Sequence, residues 1–343
     1  MIGKRAIEDP RNGLVKDFLR LVRELNARAF VFENVKGLTV GNHQRFLHEL
    51  VAEFQAAGYD VLIPPRVLNA KDYGVPQSRE RLFLMGVKTG ETLPAYPLPA
   101  KQRVTCEEAL ADLPEAEDHA DLWYGDSARN VTWGKPSAYA RDMRCLSNAA
   151  WHFGHVRNWD GSVLTSSMRT DHTAISRRRF GETAAGTVEP ISRLFKLAGD
   201  GQSNTLRAGT DAARGAFTSP RPIHYDRNRC VTVREMARLH GFPDWFRFHQ
   251  TKWHGARQIG NAVPPPLARA VASAMMDALG LVPARPAGSV ALGDPDLLRM
   301  DMREAAAFWR VERPVGKRDQ KSGAVKRRQV DIEAIRLAAL AAE

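Results

Sequence analysis

The stretch Ala29-Phe30-Val31-Phe32-Glu33-Asn34-Val35 decides how this chain folds. Ala29 to Phe32 read as a short buried strand, and the polar pair after them marks its carboxyl end. Ahead of it, Leu14, Val15, Phe18, Leu19, Val22 and Leu25 recur at helical spacing. Behind it, Phe46, Leu47, Leu50, Val51 and Phe54 form a second helix face, and Gly58 breaks into a strand over 59–63. A third strand is read at 82–87. Helix and strand alternate, which predicts an α/β protein with a doubly wound sheet. Ligands of such sheets sit outside the carboxyl ends of the strands. Glu33 is therefore a candidate: a carboxylate among apolar neighbours can take a raised pKa and act as acid or hydrogen-bond partner. Taken alone, it reads more often as a strand-end carboxylate in water.

Composition narrows the class. The 343 residues include 50 Lys and Arg against 39 Asp and Glu, a formal charge of +11, and 43% are hydrophobic. That excludes global disorder and suggests two domains or three. No apolar run approaches the roughly 18 residues of a membrane span, and Met1-Ile2-Gly3-Lys4-Arg5 has no apolar signal core. A cytoplasmic protein is expected, nucleoid-associated if bacterial. Cys106, Cys145 and Cys230 have no CxxC spacing, which argues against a disulfide framework or a cysteine-rich zinc site, and no metal is expected. The basic excess points to a polyanion such as nucleic acid as readily as to ordinary surface charge.

Over 94–225 the apolar period becomes irregular, prolines punctuate 94–99, and Arg177-Arg178-Arg179 sits among Ser, Thr and Gly. Regular patterning resumes near 228. A Pro/Gly-containing linker follows 283, and residues 310–336 carry nine Lys and Arg against four acids. The expected organisation is a catalytic part over 1–93, an inserted loop-rich module over 94–227, a return over 228–282 and a basic extension over 283–343.

Three more clusters carry chemistry. Gln77-Ser78-Arg79-Glu80-Arg81 runs into the third strand, and extended spacing puts Gln77, Arg79 and Arg81 on one face. Two guanidiniums and an amide suit a phosphate, a carboxylate or the polar edge of a base. The segment 229–244 predicts a helix with Arg234 and Arg238 at i, i+4, closed by Gly241-Phe242-Pro243-Asp244. Gln258-Ile259-Gly260-Asn261-Ala262-Val263-Pro264 opens a helix and offers backbone N–H groups and an amide to a ligand. Read singly, the last two are more often structural.

In this order the segments resemble the C-terminal three quarters of a DNA cytosine-5 methyltransferase. The resemblance covers most of 3–90 and 229–280: Gly3 to Arg11, Glu33-Asn34-Val35, Val67 to Ala70, Asp72 to Arg81, Thr232 to Asp244 and Gln258 to Pro266. It implies a partial doubly wound, Rossmann-like methyltransferase sheet with a target-recognition domain inserted at 94–227. It implies methyl transfer from S-adenosylmethionine to C5 of cytosine in double-stranded DNA, as in restriction-modification. In the family a Cys thiolate adds to C6 of a flipped-out cytosine, C5 takes the methyl group, and a base removes the C5 proton. On the matching positions, Glu33 engages N3 and the exocyclic amine, Arg81 reaches O2, and Arg79 orders the pocket. Arg229, Thr232 and Arg234 hold the recognition domain and the DNA backbone. Lys4, Arg5, Gln77, Arg177, Arg178 and Arg179 are further expected DNA contacts, and Asn261 and Ala262 are expected at the cofactor.

The family's glycine-rich cofactor motif and its Pro-Cys nucleophile have no match, and none of the three cysteines has the Pro-Cys context. The resemblance begins at Gly3, a handful of residues beyond that position. The expectation is an enzyme active only with a missing N-terminal part or a separate subunit that carries both motifs. A sheet without its first strands exposes apolar edges, which also argues for a partner. A misplaced start or a disrupted gene would leave the same pattern. The competing readings are a non-catalytic DNA-binding or specificity subunit and an inactive fragment.

Overall fold

The computed structural model describes residues 13–147, 154–210, 219–284, 286–312 and residue 338. Lys4, Arg5 and nearly all of the basic run beyond 310 lie outside the described residues. In chain order the elements are α1 (Gly13–Glu24), β1 (Ala29–Val35), α2 (Asn42–Ala56), β2 (Tyr59–Val61), β3 (Arg66–Asn69) and β4 (Glu80–Lys88). Next come α3 (Cys106–Leu110), α4 (Ala138–Met143), β5 (Val156–Asn158), α5 (Ala174–Glu182), α6 (Val233–His240) and α7 (Lys252–Asn261). The last are α8 (Pro265–Ala278), β6 (Ser289–Ala291) and α9 (Met302–Trp309).

The chain divides into two compact units. The first comprises 1–73, 79–102 and 266–284; the second comprises 74–78, 103–265 and 285–343. Residues 228–265 thus belong with the inserted module, and the return to the sheet unit comes at 266 rather than 228. The reason is α6, whose eight residues are all buried among elements of the second unit.

In the first unit β4 is the central strand. β1 pairs along one edge, β2 and β3 share the other, and every pairing is antiparallel. β1 and β2 therefore run the same way, joined through α2 as a crossover requires. β4 reverses because β3 leads into it through a short connection without a crossover helix. The expected α/β alternation holds, with this antiparallel member at its centre. α1 and α2 cover the sheet through Val22, Leu50 and Phe54, packed on Phe30, Phe32, Tyr59, Val61 and Leu84. Phe30 and Phe54 stack at 3.9 Å between ring centroids. Gly86 lies opposite Phe30, and a Cβ there would sit 2.4 Å from the Phe30 ring, so only glycine fits. The strand read at 29–32 extends to Val35 and so includes Glu33, whereas that read at 59–63 stops at Val61.

The second unit centres on α3, α6 and α7, with Leu110, Met236, Leu239, Phe248 and Ile259 buried together. The sequence Thr-Val-Arg-Glu sets α6. Thr232 accepts from the Glu235 N–H while the Glu235 side chain accepts from the Thr232 N–H, a reciprocal capping box. Gly241 ends the helix with φ +84°, which a residue with a Cβ rarely adopts. Much of the remainder is loop, as expected for 94–225. Among the described residues, no helix is long and apolar enough to cross a membrane.

Candidate functional site

Glu33, Arg79 and Arg81 come together in the first unit. Glu33 lies opposite Phe83 and Val35 opposite Arg81, so the antiparallel register sets Glu33 and Arg81 diagonally on one face of the sheet. Arg81 Nε meets Glu33 Oε1 at 3.0 Å. Arg81 sits between two neighbours, because Leu68 of β3 faces it from the other edge. Arg79, two residues earlier, is 2% exposed. Its backbone is fixed: the N–H donates to Asn69 Oδ1 at 3.0 Å, and the carbonyl accepts from the Ala70 N–H at 2.9 Å.

The electrostatics follow from burial. Desolvation raises the Glu33 pKa above the usual carboxylate range, against the pull of Arg81 and then Arg79. Burial, with repulsion from Arg81, lowers Arg79 to about 10, and burial lowers Arg81 as well. A carboxyl group whose pKa burial raises thus stands beside two partly desolvated guanidiniums. Such a group donates as well as accepts, and the guanidiniums only donate. The set can grip a flat polar molecule that presents both donors and acceptors.

Gln77 does not join this face. β4 starts at Glu80, and residues 74–78 belong to the second unit. The Gln77 side chain is fully buried there: Nε2 meets His240 Nδ1 at 2.9 Å, and Oε1 accepts from the Leu206 N–H at 3.1 Å. It is a structural amide and cannot reach DNA from this position.

The other expected DNA contacts separate by burial. Arg229 is bonded to Glu115 and Glu235, four contacts of 2.8–3.0 Å. Arg234, 1% exposed, donates to Thr165 and to the Phe246 carbonyl, and Thr232 is the α6 cap. All three are buried and bonded within the second unit, so the structure places them in its interior rather than on a surface. Within Arg177-Arg178-Arg179, Arg177 is held by both oxygens of Glu117 and Arg179 lies against Glu189 at 3.5 Å. Arg178 is the exposed member, with a weak pairing to Glu182 one turn on.

Asn261 ends α7 and is exposed; the Ala262 carbonyl faces His240 Nε2 at 3.1 Å. Gly260 packs so tightly that a Cβ would lie 2.4 Å from the Ala208 nitrogen. The Asn261 side chain is exposed, next to a glycine packed against the backbone of 207–208.

All three cysteines are held as thiols. Burial pushes Cys106 up to about 12 and Cys145 up to about 11, and raises Cys230. No group of three or more His, Cys, Asp or Glu that could hold a metal is found among the described residues. The sequence reading missed Asp112 and Asp244, which hold the fully buried Arg238 through contacts of 2.6–3.5 Å. Asp244 had a visible signal, standing six residues after Arg238 just beyond the Gly241 turn. Asp112 had none, being 126 residues away.

Residues 1–277 match the C-5 cytosine-specific DNA methylase family, and the chain belongs to that family. The carboxyl and guanidinium pair of the sheet unit lies within the matched span. Among curated proteins it is 54% identical over 315 residues to the type II methyltransferase M.XorII of Xanthomonas oryzae pv. oryzae, covering 92% of this chain and 74% of that one. It is 30% identical over 280 residues to the type II methyltransferase M.FnuDI of Fusobacterium nucleatum, covering 80% and 72%. Its structure is similar to one described as a prophage-encoded DNA modification methyltransferase of E. coli, with a TM-score of 0.64, 30% identity and coverage of 79% and 75%.

Proposed function

We propose that this chain methylates C5 of cytosine in duplex DNA, with Glu33 and Arg81 holding the target base. The observation that carries this is the 3.0 Å Glu33–Arg81 pair, with the Glu33 pKa raised by burial. A cytosine has an acceptor at N3, a donor at its amino group and an acceptor at O2. A protonated Glu33 donates to N3 and accepts from the amine, and Arg81 donates to O2. Both contacts draw electrons out of the ring, which favours nucleophilic addition at C6 and then reaction at C5. Arg79 positions this pair: its charge acts on Glu33, and its backbone fixes the entry to β4. S-adenosylmethionine, when bound, supplies the methyl group. Asn261 contributes to its site.

Arg178 and the loop-rich module are assigned to the DNA backbone and to recognition, by the exposure of that one arginine in the run and by the module's irregular, loop-built surface. The relatives' name as type II methyltransferases supports a modification role of the same kind.

The test expresses the gene with its native flanking frames. Host DNA is then read by bisulfite sequencing. The expected result is 5-methylcytosine in one defined sequence context, absent in Glu33→Gln. The reading is overturned if no methylated cytosine appears, or if Glu33→Gln leaves the pattern intact.

A further inference from the structure

We infer that His240 is a positioning residue that fixes, through one imidazole tautomer, both the loop leading into Arg79 and the turn carrying Asn261. The inference rests on the roles proposed above for Arg79, Arg81 and Asn261.

The hydrogen bonds leave one arrangement. Gln77 Oε1 accepts from the Leu206 N–H, which orients the amide. Its Nε2 then points at the Leu239 carbonyl, 3.3 Å, and at His240 Nδ1, 2.9 Å. An amide nitrogen only donates, so Nδ1 accepts and carries no proton. On the other side, Nε2 of His240 faces the Ala262 carbonyl at 3.1 Å. A carbonyl only accepts, so Nε2 carries the proton. The ring is neutral and held in the Nε2–H form by partners on both sides. It is also completely buried, stacked on Phe242 at 5.7 Å between centroids.

Each partner sits where position matters. Gln77 anchors a short loop that is fixed at three further points. Ser78 N–H donates to the Ser203 carbonyl, Ser203 N–H donates to the Pro76 carbonyl, and the Thr205 hydroxyl donates to the Ser78 carbonyl. The next residue is Arg79. Ala262 follows Asn261 directly and caps α7, where Gly260 is pressed on the backbone of 207–208. A ring spanning both attachments transmits a shift at one to the other, because neither partner has slack. Unlike the buried arginines, His240 has two backbone-linked partners that lie beside residues assigned to the base and to the cofactor.

The experiment compares His240→Phe, His240→Gln and Gln77→Leu by amide hydrogen exchange and by calorimetric binding of S-adenosylmethionine. Phenylalanine keeps the ring and removes both bonds. Glutamine restores one acceptor and one donor. In His240→Phe, exchange at Ser78, Leu206 and Ala262 should rise at least tenfold together, while α6 amides keep their protection. Gln77→Leu should also speed exchange at Ala262, across the ring. Glutamine at 240 should recover most of the protection. S-adenosylmethionine should bind His240→Phe several-fold more weakly than wild type. Faster exchange confined to one side of the ring, or spread evenly through the second unit, overturns the inference. Coupled exchange with unchanged cofactor affinity removes the link to Asn261. Absence of binding by the wild type overturns the reading of Asn261 and leaves the exchange arm to decide the tautomer bridge.

Discussion

Replacing Arg229 with methionine should destabilise the second unit at neutral pH, and by less as the pH falls. Arg229 is 4% exposed and holds Glu235, also 4% exposed, through bonds of 2.8 and 2.9 Å. Burial alone would raise the Glu235 pKa; Arg229, by charge and hydrogen bonds, overcomes this and brings it down to about 2. A carboxylate depressed on folding gives stability that is complete above its unfolded pKa, about 4.3, and lost as pH falls through that range. Each factor of ten in proton affinity is worth about 1.4 kcal/mol, so Glu235 contributes on the order of 3 kcal/mol at neutral pH. Methionine fills much of the volume and supplies no charge. Glu235 then keeps its backbone partner Thr232 and His224, whose Nε2 is 3.8 Å away. Breaking a buried pair by removing one partner costs about 3–5 kcal/mol, or roughly 6–20 °C for a unit of this size. Burial is then opposed only by the Thr232 N–H and His224, and the Glu235 pKa moves up from its depressed value. The stability that Glu235 gives the wild type above about pH 4.3 is lost in the variant, so the gap between the two narrows as pH falls through that range. Urea unfolding followed by circular dichroism at pH 7, 5.5 and 4 measures this. A loss below about 1 kcal/mol at pH 7, or a gap that does not narrow toward pH 4, would refute the reasoning.

Other outcomes follow from the same geometry. Gly260→Ala has to push backbone at 207–208 rather than a yielding side chain. A loss of about 1–3 kcal/mol in thermal unfolding is expected. Arg178→Ala should lower the salt slope of DNA binding by about 0.9 with little change in melting temperature. Arg177→Ala breaks the Glu117 fork instead and should lower the melting temperature while leaving that slope alone. If methylation uses protonated Glu33, its raised pKa carries activity to higher pH than an ordinary carboxylate would allow. In wild-type pH–rate profiles the rate should decline as pH rises through that pKa, and a rate that stays flat or rises there would count against a protonated Glu33.

Apolar residues made the sheet legible and charged residues made the site only half legible. Phe30, Phe32, Leu84 and Val87 stand in short runs whose burial is their own affair, so the strands could be read one at a time. Glu33 and Arg81 were found because each lies at the end of such a run. Their meeting depends on the antiparallel register, which no local pattern specifies. Gln77 was misplaced because alternation holds only once the strand has begun, and β4 begins at Glu80.

The buried arginines show a deeper reason. Arg234 and Arg238 stand four apart, the spacing of an exposed helix face, yet both are in the interior. A buried guanidinium is tolerated only where acids or carbonyls surround it, and those partners come from Thr165, Asp112 and Asp244. Two of the pairs do leave a local trace. Arg229 to Glu235 and Arg238 to Asp244 are each six residues apart. Six is not a helix-face spacing, so it draws no attention as an i, i+4 pair would. It becomes a contact only because the chain turns, at the Thr232 cap in one case and at Gly241 in the other. An arginine and an acid six apart across a helix cap or a left-handed glycine therefore mark an interior pair. By that rule Arg229 and Arg238 are not among the charges a polyanion would meet, whereas the exposed Arg178 is.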